Sequence, residues 1–206
     1  MMSRMDIPTT TLADFLGREQ VMDIGIRPLW TPVPPVVGPA VVGPAFTVRC
    51  PPGDNLMLHA AIYRAAPGSV IVTAAGDVDY AVAGGNVCAV AQRRGIAAFV
   101  IDGVIRDLAE VRANGFPVFA RGVIPIPGAK SAVAPLNEPV RCGGVVVNPG
   151  DVVVADEEGV VVVPRDRQEQ VFAQARAKLA KEASESLDDW ERAHRARIEK
   201  ILADNG

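Results

Sequence analysis

Cysteine is scarce and badly placed for cross-linking: Cys50, Cys88 and Cys142 are an odd number, far apart, and no CxxC pair occurs. That pattern argues against a disulfide framework or a zinc knuckle and fits a reducing cytoplasm. A basic excess is also missing. The net charge is −3 and the pI about 5.4, so the overall balance suggests no nucleic-acid surface. A small anionic substrate would have to be met by local positive charge. No uninterrupted apolar run reaches membrane-spanning length, and the opening MMSRMDIPTT lacks the apolar centre of a signal peptide, so no membrane partner is expected.

What is there is ordinary for a globular protein: 206 residues, 49% hydrophobic and 22% charged, suffice for one sizeable core and an appendage. The core is expected over residues 1–164. A short lead-in helix, capped by Thr10 or Thr11 and ended by Gly17, opens it. TPVPPVVGPAVVGPA then forbids a continuous helix and favours extended, edge-lying chain. From Ala45 helices and strands alternate: strand 46–49, a helix over 56–65 capped by Asp54 or Asn55, strand 69–73 and, beyond the central unit, strand 117–120. Strands crowd later, at 144–148, 151–155 and 160–163, which makes the core mixed α/β. Past Pro164 the chain turns charged and helical. Val171, Phe172, Ala175 and Leu179 form one apolar stripe, and Leu187, Trp190, His194, Ile198 and Ile201 a second, parted near Ser184 to Ser186. Residues 165–206 are therefore read as a helical extension covering the core or, preferably, a neighbouring subunit.

The chain is organised around residues 84–110, GGNVCAVAQRRGIAAFVIDGVIRDLAE. A glycine turn opens an amphipathic helix, Gly95 breaks it, residues 97–101 form a buried strand, and a loop then delivers Arg106 and Asp107 to another helix over 108–113. The first turn of a helix has unpaired N–H donors and a positive dipole end, so the Gly84-Gly85-Asn86 start can hold a carboxylate. An Arg beside an Asp suits metal-assisted chemistry on a small oxo-acid: the carboxylate takes a hard cation and the guanidinium takes developing charge. The same Asp107, with Glu110 three residues on, is also a capping box that would merely satisfy helix donors. His59 reads as a half-buried structural histidine, and Cys88, with no His partner in sight, as a poor nucleophile. Asp102 would either orient the Arg106 loop or face solvent or metal.

Gly85, twenty residues, Arg106-Asp107, two residues and Glu110 reproduce a spacing signature, flanked in order by GPAFTVRCPPGDN, VIDGVIRD, IPIPGAK and GDVVVADEEGVVVVP. Over about residues 35–165 the sequence resembles the class II pyruvate aldolases that cleave 4-hydroxy-4-methyl-2-oxoglutarate and 4-carboxy-4-hydroxy-2-oxoadipate, within the wider family of the regulator of ribonuclease activity A. The resemblance implies a three-layer β/β/α core related to the swivelling phosphohistidine domain. It also implies a lyase that releases pyruvate from 4-hydroxy-2-oxo acids, decarboxylates oxaloacetate, or does both. Its cofactor would be Mg²⁺ or Mn²⁺ on Asp107, with Arg106 as the catalytic cation. Asn55, Gly85, Asn86, Val87, Cys88 and Arg106 would surround the substrate. Glu182, with Glu185 behind it, would reach the metal's outer shell from a neighbouring subunit of a homotrimer or hexamer. Asn86 departs from the pattern, since many relatives carry an acidic residue there. The other function the family offers is protein-binding regulation of an endoribonuclease. A methyltransferase has little support, because no GxGxG turn follows a first strand.

Overall fold

The fold is described from a computed structural model, over residues 7–30 and 41–205. The first ten residues of the Pro- and Gly-rich segment, 31–40, lie outside these. Its last five, the second VVGPA, are the start of a long strand, β2 (Val41–Arg49), preceded by the helix α1 (Thr9–Ala13) and a two-residue strand β1 (Arg27–Pro28). Then follow α2 (Leu56–Ile62), β3 (Val70–Ala74), β4 (Ala81–Ala83), α3 (Gly85–Arg93), β5 (Ala98–Ile105), α4 (Leu108–Asn114) and β6 (Val118–Val123). The chain continues with β7 (Val140–Cys142), β8 (Val145–Val147), β9 (Val152–Asp156), β10 (Gly159–Val163), α5 (Gln168–Ala183) and α6 (Leu187–Asn205).

The main sheet runs β1-β6-β5-β3-β2-β9-β10, with β4 paired to the far end of β5. The β2, β3, β5 and β6 contacts are parallel, as the intervening helices require, and β9 and β10 add antiparallel strands. Alternation along each strand sends side chains to opposite faces. Ile71, Phe99 and Ile101 meet α2, α3 and α4 through Leu58, Ala61, Ala91 and Val111. Val70, Val72 and Val100 face the other way, against the β7–β8 hairpin and the inner residues Val153, Ala155, Val160 and Val162 of β9 and β10. The layers are thus helices, sheet, and a second β layer made by the hairpin and the curled end of the same sheet. A further cover lies outside: Val152, Val154, Val161 and Val163 pack on Leu12 of α1 and on Val171, Phe172 and Ala175 of α5. The first apolar stripe of the extension is therefore buried within its own chain rather than on a neighbour.

Local details depart from the sequence reading for identifiable reasons. α1 begins at Thr9 behind Pro8, and neither Thr10 nor Thr11 caps it. Thr9 instead donates its N–H and hydroxyl to the Asp156 carboxylate, 2.9 and 2.7 Å away, a tertiary bond invisible in sequence. α2 stops at Ile62, short of the expected residue 65. β4 and β7, each only three residues long, have too little pattern to read. β5 does not end at Ile101 but runs through a register shift to Ile105, which places Arg106 directly at a strand end.

Candidate active site

Strand pairing builds the site. Ala81 and Ala83 of β4 register with Val104 and Ile105 of β5, and the Arg106 N–H donates to the Ala83 carbonyl at 3.0 Å. The residues that follow each strand are forced together: the Gly84-Gly85 turn that opens α3, and the Arg106-Asp107 pair that opens α4. Sequence separates them by twenty residues; the parallel ladder makes them neighbours.

Asp107 occupies the N-cap position of α4, yet its carboxylate makes no cap bond to that helix. Its backbone is left-handed, φ 57° and ψ 40°, a conformation most non-glycine residues avoid and one that marks functional positions. The turn aims the side chain across to α3, where Oδ2 accepts the Gly85 N–H at 3.2 Å and lies 3.4 Å from Arg106 Nε. The capping-box alternative is thereby overturned: the strained backbone points the carboxylate away from the helix it would cap. Both side chains stay open to solvent, 42% for Arg106 and 36% for Asp107.

The two glycines are required by this approach. A Cβ on Gly84 would collide with Asp107 Oδ2 and sit 3.1 Å from Arg106 Cγ; one on Gly85 would collide with Glu110 Oε2 and sit 2.8 Å from Glu110 Cβ. Glu110 therefore belongs to the site as a second carboxylate at the positive end of α3, where sequence reasoning had given it only a capping role. Its fixed place in the spacing signature was the signal. The N–H groups of Asn86 and Val87, in the first turn of α3, have no intrahelical acceptor.

The remaining expected residues divide. Asn55 is buried at the start of α2; its Nδ2 donates to the carbonyls of Ala81 and Gly128, 3.3 and 3.2 Å away, while Oδ1 has no partner. Asn55 therefore fastens the strand that carries the glycine turn and keeps one acceptor free. The cap of α2 falls to Asp54, whose Oδ1 accepts the Leu56 N–H. Burial opposes ionisation of Asp54, but N–H donors from Leu56, Ser131 and Ala132 and the Ser131 hydroxyl outweigh it and bring its pKa down to about 2. Cys88 points into the core, its N–H bonded to Gly84 O, and burial followed by the Asp107 charge pushes its thiol up to about 12. Its thiol is closed off from solvent, beneath the turn where a substrate was expected to meet it. His59 is half-buried, and burial and Lys130 hold its pKa below the usual value. Asp102 does not hold the Arg106 loop: its partly exposed carboxylate takes Arg121 Nε on Oδ1 at 2.5 Å and the Gly143 N–H on Oδ2 at 2.7 Å, tying the sheet to the β7–β8 hairpin. Glu182 pairs with Lys178 at 3.4 Å near the exposed end of α5, the helix whose buried face packs on β9 and β10.

Among the described residues no group of three or more His, Cys, Asp or Glu side chains is placed to hold a metal ion. An all-protein cage is absent there. A small hard cation needs no cage, because it keeps several waters and takes one or two carboxylates. Asp107 with Glu110, both exposed and held against a turn stripped of side chains, fits that donor set.

The family model described as RraA-like, Aldolase/RraA, matches residues 9–162. This chain belongs to the RraA-like family. A relative from Halalkalibacterium halodurans, named "putative 4-hydroxy-4-methyl-2-oxoglutarate aldolase", is 41% identical over 199 residues, covering 95% of this chain and 92% of that one. Among solved structures, Streptomyces coelicolor RraAS2, described as an unusual member of the RNase ES inhibitor RraA family, superposes with a TM-score of 0.72 at 29% identity, covering 93% of each chain. An uncharacterized protein from Pseudomonas syringae gives a TM-score of 0.74 at 28% identity, covering 91% of this chain and 90% of that one. The RraA-like fold is thus shared by relatives with an aldolase name and with an inhibitor name, and the site has to decide between them. Among the described residues no helix is long and apolar enough to cross a membrane.

Proposed function

We propose that this RraA-like protein is a divalent-metal-dependent lyase that releases pyruvate from 4-hydroxy-2-oxo acids of the 4-hydroxy-4-methyl-2-oxoglutarate type, and by the same electron flow decarboxylates oxaloacetate. The observation that carries this reading is Asp107: its carboxylate is held in a left-handed turn, beside Arg106, and makes no cap bond to its own helix. The aldolase name of the 41% identical relative supports it.

The substrate carboxylate would lie on the N–H rim of Asn86 and Val87, where the α3 dipole favours an anion. Arg106 would face the C2 carbonyl oxygen. As the C3–C4 bond breaks, its electrons form the enolate of pyruvate, and negative charge grows on that oxygen. A guanidinium there stabilises the transition state more than the neutral carbonyl, which is what accelerates the step. The C4 hydroxyl loses its proton as C4 becomes a carbonyl, and a proton delivered to C3 completes pyruvate; in oxaloacetate the C4 fragment leaves as carbon dioxide. When bound, Mg²⁺ or Mn²⁺ supplies Lewis-acid polarisation of the 2-oxo acid, and Asp107, with Glu110 beside it, is the group that would hold it. A neighbouring copy's Glu182 would complete the outer shell in a homotrimer or hexamer.

The test is pyruvate release from 4-hydroxy-4-methyl-2-oxoglutarate and from oxaloacetate, with Mg²⁺ or Mn²⁺ and with a chelator. Metal-dependent release from at least one is expected; none from either sinks the proposal. A second reading, a protein-binding regulator of an endoribonuclease, is favoured by the likeness to RraAS2. Capture of an endoribonuclease without turnover would put it first.

A further inference from the structure

The helix layer is polarised along its length. Asp107 and Glu110 lie where α3 and α4 begin, whereas Arg64, Arg93, Arg94 and Arg112, all exposed, lie where α2, α3 and α4 finish. These three helix ends are neighbours. Arg94 crosses from α3 to α2: its Nε donates to the Ile62 carbonyl at 2.9 Å, and its guanidinium lies 5.2 Å over the Tyr63 ring. Gln92 crosses to α4, its Nε2 donating to the Asn114 carbonyl at 3.0 Å. With about 8–10 Å between the axes of packed helices, the arginines span about 20 Å.

Basic residues at helix C-termini ordinarily answer the helix dipole, and here they exceed it. Three ends carry about half a negative charge each, about −1.5 in all, against four guanidinium groups. No carboxylate makes up the difference. Residues 55–76, 80–101 and 111–123, which carry these helix ends into β3, β5 and β6, contain no Asp or Glu, although the whole chain has a net charge of −3. Among the described residues none of the four arginines enters an ion pair. Their anchors are neutral: Arg64 Nη1 donates to the Ala60 carbonyl at 3.2 Å and Arg112 Nε to the Leu29 carbonyl at 3.1 Å, as Arg94 does to Ile62. A carbonyl fixes a guanidinium without neutralising it, and the other N–H donors stay available to an outside anion.

We propose that this end of the helix layer is a docking surface for single-stranded nucleic acid, with phosphates on the arginines and a base on Tyr63. The guanidinium fork gives paired contacts to phosphate oxygens, and all four cations here are arginine. Tyr63, 59% exposed, decides between polyanions. A carboxylate-rich peptide would use the arginines alone, whereas an unpaired base also uses the ring, and a duplex keeps its base faces closed to it. The surface lies at the opposite ends of α3 and α4 from Arg106 and Asp107 and does not depend on the catalytic reading.

The experiment uses the full-length chain and fluorescence anisotropy of a labelled oligouridine of about 12 nucleotides, within the span of single-strand sites. Four phosphate contacts at about 0.7 each predict that log affinity falls against log salt with a slope of about −3. Arg64→Gln with Arg93→Gln, neither of which ties one helix to another, should halve that slope. Tyr63→Ala should weaken oligouridine about fivefold or more and leave a paired duplex unchanged, and Tyr63→Phe should bind like wild type. Circular dichroism and thermal melting check that each variant is folded. No binding of oligouridine at about 50 mM salt overturns the proposal, as does binding that the arginine substitutions leave unchanged. Polyglutamate that binds as tightly as oligouridine, with Tyr63→Ala without effect on either, also overturns it and makes the partner an acidic protein segment.

Discussion

Replacing Asp107 separates strain from chemistry, and three variants do it together. The left-handed backbone costs a non-glycine residue about 1–2 kcal/mol, which Asp107→Gly relieves. Against that stand about 0.5–1 kcal/mol for the freedom glycine gains in the unfolded chain, and about 0.5–1 kcal/mol for the half-exposed bond from the Gly85 N–H. The ion pair with Arg106 is solvent-exposed and adds little. The sum leaves Asp107→Gly within about 1 kcal/mol of wild type, or roughly 2–4 °C in Tm for a chain of this size. Asp107→Ser keeps the strain, loses the carboxylate, and should fall about 0.5–1 kcal/mol below the glycine variant, the strain less the cost of glycine's freedom in the unfolded chain. Asp107→Ala should do the same. A helix cap would give the opposite order, since serine caps as well as aspartate. All three should lose metal-dependent pyruvate release. Chemical denaturation with the turnover assay decides: a serine variant as stable as wild type restores the capping role, and turnover in the glycine variant removes Asp107 from the reaction.

Arg106→Lys should keep metal affinity and lose rate, because an ammonium does not reproduce the guanidinium's paired donors; calorimetric Mn²⁺ binding measured beside kcat separates the two. Gly85→Ala should lower stability and activity together, since its Cβ collides with Glu110 out to that residue's own Cβ, and Gly85→Ala with Glu110→Gly, which removes that Cβ as well, should recover part of the stability and none of the activity. Cys50, Cys88 and Cys142 are buried, with burial raising each thiol, so a thiol reagent at pH 8 should find no reactive cysteine until the chain is unfolded. The Asp54 carboxyl has a folded pKa of about 2, below its ordinary value of 3.8. The stability it contributes is therefore complete above about pH 4 and lost as pH falls toward 2, and Asp54→Asn should flatten that part of an acid-unfolding curve.

The alternation of helix and strand, the opening of α3 at Gly85, the end of the last strand just before Pro164 and the two C-terminal helices were written in local pattern, because each depends on periodicity or on a glycine or proline within a few residues. That Gly85, Arg106 and Asp107 come together was also legible, through their spacing, whereas Glu110 was read only as part of a cap. What these residues do to one another was not legible. Whether Asp107 caps α4 or faces α3 depends on a single left-handed residue, and that follows from the pairing of β4 with β5, a contact between a three-residue strand and a bulged one. The same holds for Asp102 and Thr9, whose partners lie 19 to 147 residues away. The two apolar stripes of the extension look alike in sequence, and only the curl of β9 and β10 decided that α5 is covered and α6 is not. Local sequence fixes which faces are apolar; which face meets which is settled by long-range strand register, and no short window of sequence contains that.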